Sequence, residues 1–473
     1  MSRTLVLSDY RPICRLLLCL AVLLRPTFLP GQVSGTTPLP PLIEPDLNVE
    51  ATVDVAAMDK YEAAVRQMLD QRKFDQLDDL ASSLRTHKTR FAGGVWKLYV
   101  FYRGLKQPSA GRRADDKQWE AHLMNLEEWT DRNPDSVTAW IALAEAYYEY
   151  SEKSVALARS SAETNTKEAE DARWDIVNDS VHTAKLALLR ASKLPTKCPE
   201  FYLAKQKIAG QPDEDLLREA QAFEPEYYYY YRMHALFLQI SHDVEPDAAE
   251  KFADAISVQI GGEQGAIVYY ELAAVLNGGV ASGLRPKANL AWDRVQRGYA
   301  TLERRYGRSI FKANQMAFLA VQELDMATAK PLFALIGERW DRETWGTREF
   351  FEHTRLRAMP PAEISSLLEV ADANQKTAQG WQHYQIFSQE IQKNYASTYA
   401  RCARPLGDNL GGSFDLLFKI GKKGEIQEVK AWPLTKLSTC LASALAKGRV
   451  TPPPSPSFWL RIPWLRVPFQ SAY

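Results

Sequence analysis

The sequence predicts a mainly α-helical chain, an array of helix pairs followed by a small C-terminal α+β domain of strand–strand–helix–strand order. Two patterns carry that reading. Apolar residues recur at i, i+3, i+4 and i+7 through most of the chain. Near residue 414 the period changes to two. The composition agrees: hydrophobic residues make up 46% and charged residues 25%, a globular profile. At 473 residues the chain exceeds one ordinary core. The expected division is a signal peptide over 1–31, a Pro-rich linker over 32–56, a helical-repeat domain over 57–390 and a C-terminal domain over 391–473.

The N-terminus reads as an export signal. Arg3, Arg11 and Arg15 flank the apolar run Leu16–Leu24, which Arg25 and Pro26 end. The run is too short to span a bilayer, which takes about 20 residues. Gly31 and Gly35 supply small residues for cleavage. Leu18 before Cys19 argues against a lipoprotein signal. The rival reading is an uncleaved anchor. After cleavage no integral membrane span is expected, and the chain is placed in the periplasm or outside the cell. Residues 32–52 are rich in Pro, Thr and Gly and lack helical periodicity.

Helical patterning then begins. Met58, Tyr61, Val65, Met68 and Leu69 form one apolar face. Phe74, Leu77, Leu80, Ala81 and Leu84 form a second after a break at Gln71–Lys73. Neither short helix can bury its stripe alone, so the two predict a helical hairpin. In Asn133–Tyr148, Pro134 suits a helix start, and Trp140, Leu143, Ala144 and Tyr147 line one face. The stretch Ser151–Arg173, charged and rich in Ser, Ala and Thr, reads as an insertion that displaces the partner helix. Patterning resumes at Ile176 and continues through Trp292–Tyr306, Phe311–Leu324 and Thr328–Arg339.

The Trp140, Leu143, Ala144 and Tyr147 spacing resembles the first helix of a tetratricopeptide repeat, although a strict 34-residue period does not continue. From Trp96 to about Arg357 the sequence also resembles a bacterial family known as domain of unknown function 4034. The likeness rests on Trp96–Tyr102, Ala139–Tyr148, Cys198–Pro199, Glu224–Tyr231 and the stretch from Trp340 to Phe351. It implies a helical-repeat fold and no particular chemistry.

Further on, Phe414, Leu416, Phe418 and Ile420 alternate with Asp415, Leu417 and Lys419. Gly421–Gly424 is a turn, and Glu425–Trp432 a return strand. Leu437–Lys447 reads as a helix that Gly448 stops, and Phe458–Val467 as a third strand. This order resembles the periplasmic C-terminal domain of TonB-like energy transducers, and more closely their cysteine-bearing relatives in gliding and export systems. The likeness covers about 75 residues. Those relatives carry one Cys before the first strand and one in the helix, so the resemblance implies a disulfide between Cys402 and Cys440. Such a bridge would add roughly 4 kcal/mol in the chain-entropy model.

Composition and motifs bound the function. The 58 basic and 58 acidic residues cancel, which argues against a broad surface for nucleic acid or anionic lipid. There is no H-E-x-x-H, G-x-S-x-G, P-loop, G-x-G-x-x-G or EF-hand loop. The seven His show no i, i+4 pairing, so neither a metal nor a cofactor is expected, and no catalytic residue is assigned. Cys198 directly before Pro199 at a helix start is a thiol whose pKa that position would lower. The alternative is a small buried residue.

The run Tyr227–Tyr231 is open to two readings. As core, it packs against neighbouring helices. As a platform, Tyr228 and Tyr229 join Trp140 and Tyr147 in lining a binding groove. The resulting expectation is a non-catalytic scaffold that binds a protein or peptide partner. A membrane-anchored transport accessory and an enzyme with an unfamiliar site are the rivals.

Overall fold

The computed structural model describes residues 54–161, 167–241, 243–279, 287–406 and 413–464. The expected signal peptide and nearly all of the linker lie outside the described residues. The chain is mainly α, with a small α+β unit at its C-terminal end.

The first helices follow the apolar periodicity: α1 (Asp54–Asp70), α2 (Phe74–His87), α3 (Lys97–Leu105) and α4 (Asp116–Arg132). Asp115 caps α4 with a capping box to Gln118. The next two, α5 (Val137–Ser161) and α6 (Lys167–Ser192), form a long antiparallel pair. Here the expected insertion at Ser151–Arg173 is corrected, because its described residues extend α5 and open α6. Its Ala, Glu, Lys and Arg content favours helix. Lys153 and Arg173, one on each helix, both reach Asp116 at the start of α4, at 2.8 and 3.0 Å.

The array continues as α7 (Pro199–Ala209), α8 (Glu214–Phe223), α9 (Tyr229–Ile240), α10 (Ala248–Ile260), α11 (Gly262–Asn277), α12 (Trp292–Tyr306), α13 (Ile310–Gln322) and α14 (Met326–Ile336). The short α15 (Arg342–Trp345) leads into α16 (Arg348–Ala358). One hydrophobic core runs from Val65 to Ala358.

The α2–α3 connection closes this array. Arg90 binds Glu226 at 2.7 Å and lies over the rings of Trp96 (4.3 Å) and Tyr306 (4.7 Å). Gly93 has φ +71°, and a Cβ there would sit 2.5 Å from the Cβ of Ser309. Only glycine allows both that backbone and that approach. Met58, Val95 and Val100 pack with Phe311 of α13, so the first helices meet one of the last.

The C-terminal unit holds α17 (Ala362–Lys376), α18 (Ala378–Ala403), β1 (Phe414–Ile420), β2 (Ile426–Trp432), α19 (Lys436–Leu445) and β3 (Phe458–Trp464). The sheet is antiparallel in the order β2-β1-β3. Phe414, Leu416, Phe418 and Ile420 face a core shared with Phe387 and Ile391 of α18 and Leu437 and Leu441 of α19. The opposite face of β1 is covered too, since Leu417 packs with Leu368 and Ala371 of α17 and with Trp459. The expected boundary at residue 390 therefore falls inside α18. The change of core comes between Ala358 and Ala362, because α17 and α18 bury their apolar stripes on the sheet.

Burial on both faces leaves Asp415 fully enclosed. It is compensated by Arg357 of α16 (2.6 and 2.8 Å) and by Arg461 of β3 (2.9 Å), and Arg461 also meets Asp372. Burial works against the carboxylate, but the two guanidinium groups outweigh it and hold its pKa below the usual range. On the other face, Cys402 of α18 and Cys440 of α19 lie 5.8 Å apart at Cα with their sulfurs at bonding distance.

Two outcomes follow. Asp415→Ala strips the buried Arg357 of its carboxylate and leaves Arg461 only Asp372, and should cost about 3–5 kcal/mol in denaturant unfolding. Because the folded pKa of Asp415 is depressed, its contribution is present above the unfolded pKa and lost as pH falls through the folded one. The gap between variant and wild type should therefore narrow in acid. Replacing both Cys402 and Cys440 with Ala should lower stability by about 2–4 kcal/mol. Alkylation of both thiols in the unreduced native protein would remove the bridge.

Candidate functional site

The five consecutive tyrosines at 227–231 are all buried. Tyr227 and Tyr228 form the turn that enters α9, and Tyr229 to Tyr231 its first turn, so the run radiates into every neighbour. The Tyr229 ring stacks on Tyr99 at 3.7 Å, and its hydroxyl accepts the Trp96 N–H at 3.1 Å. Tyr228 donates to the Gly94 carbonyl at 3.3 Å. Tyr227 meets Trp96 edge-on at 5.0 Å and donates to Glu200.

The expected groove of Trp140, Tyr147, Tyr228 and Tyr229 is therefore not formed. Tyr228 and Tyr229 are interior because the α2–α3 connection packs over them. Trp140 is half-buried, donates to the Pro134 carbonyl at 2.8 Å and lies under Arg190. Tyr147 donates to Glu127 at 2.5 Å.

Buried ion pairs beside these rings form a charged seam across α3, α5, α7, α9, α11 and α13. Glu149 accepts from Lys106, Gln107 and Arg112, each at 2.9 Å. Burial would raise this carboxyl, but the two cations outweigh it and hold it at about 2. Lys207 binds Glu145 at 2.6 Å and stands 3.8 Å from Glu200. Lys312 and Arg232 share the fully buried Glu271, at 2.7 and 3.5 Å. None of these positions was singled out from the sequence. The signal was there in Glu145 within Ala142–Ala146 and Lys312 within Ile310–Val321, charges set inside apolar helical runs.

Glu200 is fully enclosed within the seam. Burial, then the Glu145 charge, pushes its carboxyl well above the ordinary range, against the opposing pull of Lys207. The adjoining void, lined by Glu145, Tyr148, Glu149, Ala204, Lys207 and Ile208, is about 10 Å³. It holds one water molecule at most and admits no substrate. The paired charges of the seam tie its helices together.

Cys198 caps the start of α7 as expected, but its thiol is not activated. It is 1% exposed, and burial raises its pKa, with the Tyr102 hydroxyl 3.5 Å away. Desolvation of a fully enclosed thiolate outweighs a helix N-terminus here. Among the described residues no three His, Cys, Asp or Glu side chains gather as metal ligands.

A groove of about 470 Å³ lies between α2, the α4–α5 turn and the α6–α7 connection. Asp79, Ser82 and Arg85 line one wall, and Asn133, Asp135 and Thr138 line the other. Asp78 is spent on structure, accepting from Trp129, Asn133 and Ser136. Arg85 donates to Thr138 at 3.0 Å. The walls are hydrogen-bonding and charged of both signs.

The seam makes a pH-dependent prediction. A carboxyl whose folded pKa is raised holds its proton where the unfolded chain has lost it. Stability is then greatest below the unfolded pKa and falls as pH rises toward the folded one. Glu200→Gln removes that loss, so its Tm should exceed that of the wild type more at pH 8 than at pH 5. An equal difference at both values would contradict the assignment.

No family model, curated protein or solved structure matches the chain, so its site is read from its own geometry.

Proposed function

We propose that the chain is an exported, non-catalytic interaction protein of the cell envelope that binds a protein or peptide partner. The observation that carries this reading is the polar groove of about 470 Å³ beside α2. Its size suits a ligand, but small-molecule sites are mostly apolar. Walls of carboxylates, hydroxyls, an amide and a guanidinium suit a polar segment of polypeptide, whose backbone and side chains supply matching donors and acceptors. The buried ionisable groups, by contrast, are committed to one another, Lys207 to Glu145 and Lys312 to Glu271.

Export rests on the basic and apolar N-terminal pattern of the sequence. The Cys402–Cys440 geometry supports it, because disulfides persist in oxidising compartments. Among the described residues no helix is long and apolar enough to cross a membrane. The likenesses of residues 96–357 to domain of unknown function 4034 and of the last 75 or so residues to TonB-like domains belong to the same proposal. They agree with helix pairs followed by a three-stranded unit.

The test is cross-linking in the native envelope, followed by co-purification of the full chain. A partner should be retained, and Asp79→Lys combined with Asp135→Lys should reduce its capture at least about fivefold, as reversing charges at a contact does. Both residues are exposed, so the fold should tolerate the change. Retention of no partner by the wild-type chain would sink the proposal.

A further inference from the structure

One end of the C-terminal sheet carries an apolar shelf. Trp432, which ends β2, donates to the Leu356 carbonyl at 2.8 Å. Leu356 and Met359 stand one turn apart at the end of α16 and are 45 and 40% exposed. Leu434, two residues beyond Trp432, is 67% exposed. Single apolar residues on a surface are ordinary. Here they are gathered, because the Trp432 bond and the Arg357–Asp415 pair hold α16 against the sheet. A gathered apolar patch marks a contact surface.

β3 finishes at this same end. Trp464 pairs with Phe414, whereas Pro463 and Trp432 both pair with Asp415. Directly opposed residues share a face. Asp415, Trp432 and Pro463 therefore look toward α16, which supplies Arg357 to Asp415. Phe414 and Trp464 look the other way, and Trp464 meets Tyr399 of α18 at 5.4 Å. The order β2-β1-β3 puts two strand spacings, about 10 Å, between β3 and β2.

Residues 465–473 follow β3. In them Leu465, Val467 and Phe469 alternate with Arg466, Pro468 and Gln470. An extended course gives the three apolar residues the parity of Pro463, the parity of the shelf. Pro468 biases Val467 to an extended backbone and has no N–H for a ladder. That suits a segment which leaves the sheet and does not return as a strand. Five extended residues from Trp464 to Phe469 reach about 17 Å, more than the separation of the two strands.

We propose that residues 465–473 cross the end of the sheet and close the shelf, with Val467 and Phe469 seated on Leu356, Met359 and Trp432. The occupant is the chain's own segment, and the contact is made by side chains rather than by backbone pairing. It also reserves the shelf, since another protein reaches Leu356 and Met359 only by displacing Phe469. The inference is independent of the groove beside α2.

The probe is dilute hydrogen peroxide on the full chain, with methionine sulfoxide mapped by mass spectrometry, because oxidation follows exposure. Met124 of α4 is the open reference at 59% exposure, and Met316, at 1%, reports on the integrity of the fold. Met359 should oxidise at least about fivefold more slowly than Met124. In Val467→Asp combined with Phe469→Asp, the two should come within about twofold of each other, while Met316 stays protected. Phe469→Leu should keep the protection of Met359. Equal rates for Met359 and Met124 in the wild-type chain would overturn the proposal, and so would protection that survives the double substitution. Protection that fades on dilution would overturn it too, by assigning the shelf to a second copy of the chain.

Discussion

The arrangement of the whole molecule depends on one buried charge. Asp415 sits in the central strand of the sheet, fully enclosed, and takes one guanidinium from α16 and another from β3. A carboxylate in that position costs several kcal/mol in desolvation unless it is compensated from more than one side. The compensation is what joins the parts: Arg357 belongs to the last helix of the long helical core, while Arg461 and Asp372 belong to the sheet and its cover. Apolar packing alone lets a sheet slide on a helix layer, because dispersion contacts are non-directional. A bidentate arginine does not, because its fork fixes both distance and angle. The node sets the pose of the C-terminal unit, and with it which sheet edge is covered by α17.

A second constraint shapes the helical part. Stacked helix pairs ordinarily leave an inner surface for a partner, but here the α2–α3 connection lies against the tyrosine run and α12–α13. Its last residues are deeply buried, with Trp96 at 1% and Val95 at 4% exposure. Gly93 and Gly94 adopt positive φ in contact with Ser309 and Tyr306. Once that segment is in place, the aromatic residues that would have lined a groove become core, and the ionisable groups beside them must pair internally. The filled interior and the charged seam are two results of the same closure.

Much of the fold was legible because it is local. The bounds of α12 and the start of α2 coincide with their apolar faces, and β1 and the Gly421–Gly424 turn follow from the change of period. What could not be read was set by partners far away in the chain. Ser151–Arg173 looked like an insertion because its polar residues spoil a one-sided stripe, yet Lys153 and Arg173 converge on Asp116. Asp415 looked like the solvent-facing side of an alternating strand, and only α17 and α16 make that side interior. The tyrosine run was ambiguous for the same reason: a periodic aromatic pattern says which residues share a face and not what covers it. Cys198 was open to two readings, an activated thiol at a helix start or a small buried residue, and the structure gives the buried one, with burial raising the thiol.

These constraints decide where function can reside. A catalytic site needs perturbed groups and room for a reactant at once. The void beside Glu145 and Lys207 has room for a single water, whereas the open groove beside α2 is lined by Asp79, Asp135 and their polar neighbours. The surfaces that remain open offer hydrogen bonds and screened charge, the means by which polypeptides are recognised. Since α16 is pinned to β1 through Asp415, Leu356 of the helical part accepts a hydrogen bond from Trp432 of the sheet, and that junction depends on the compensation of one buried carboxylate.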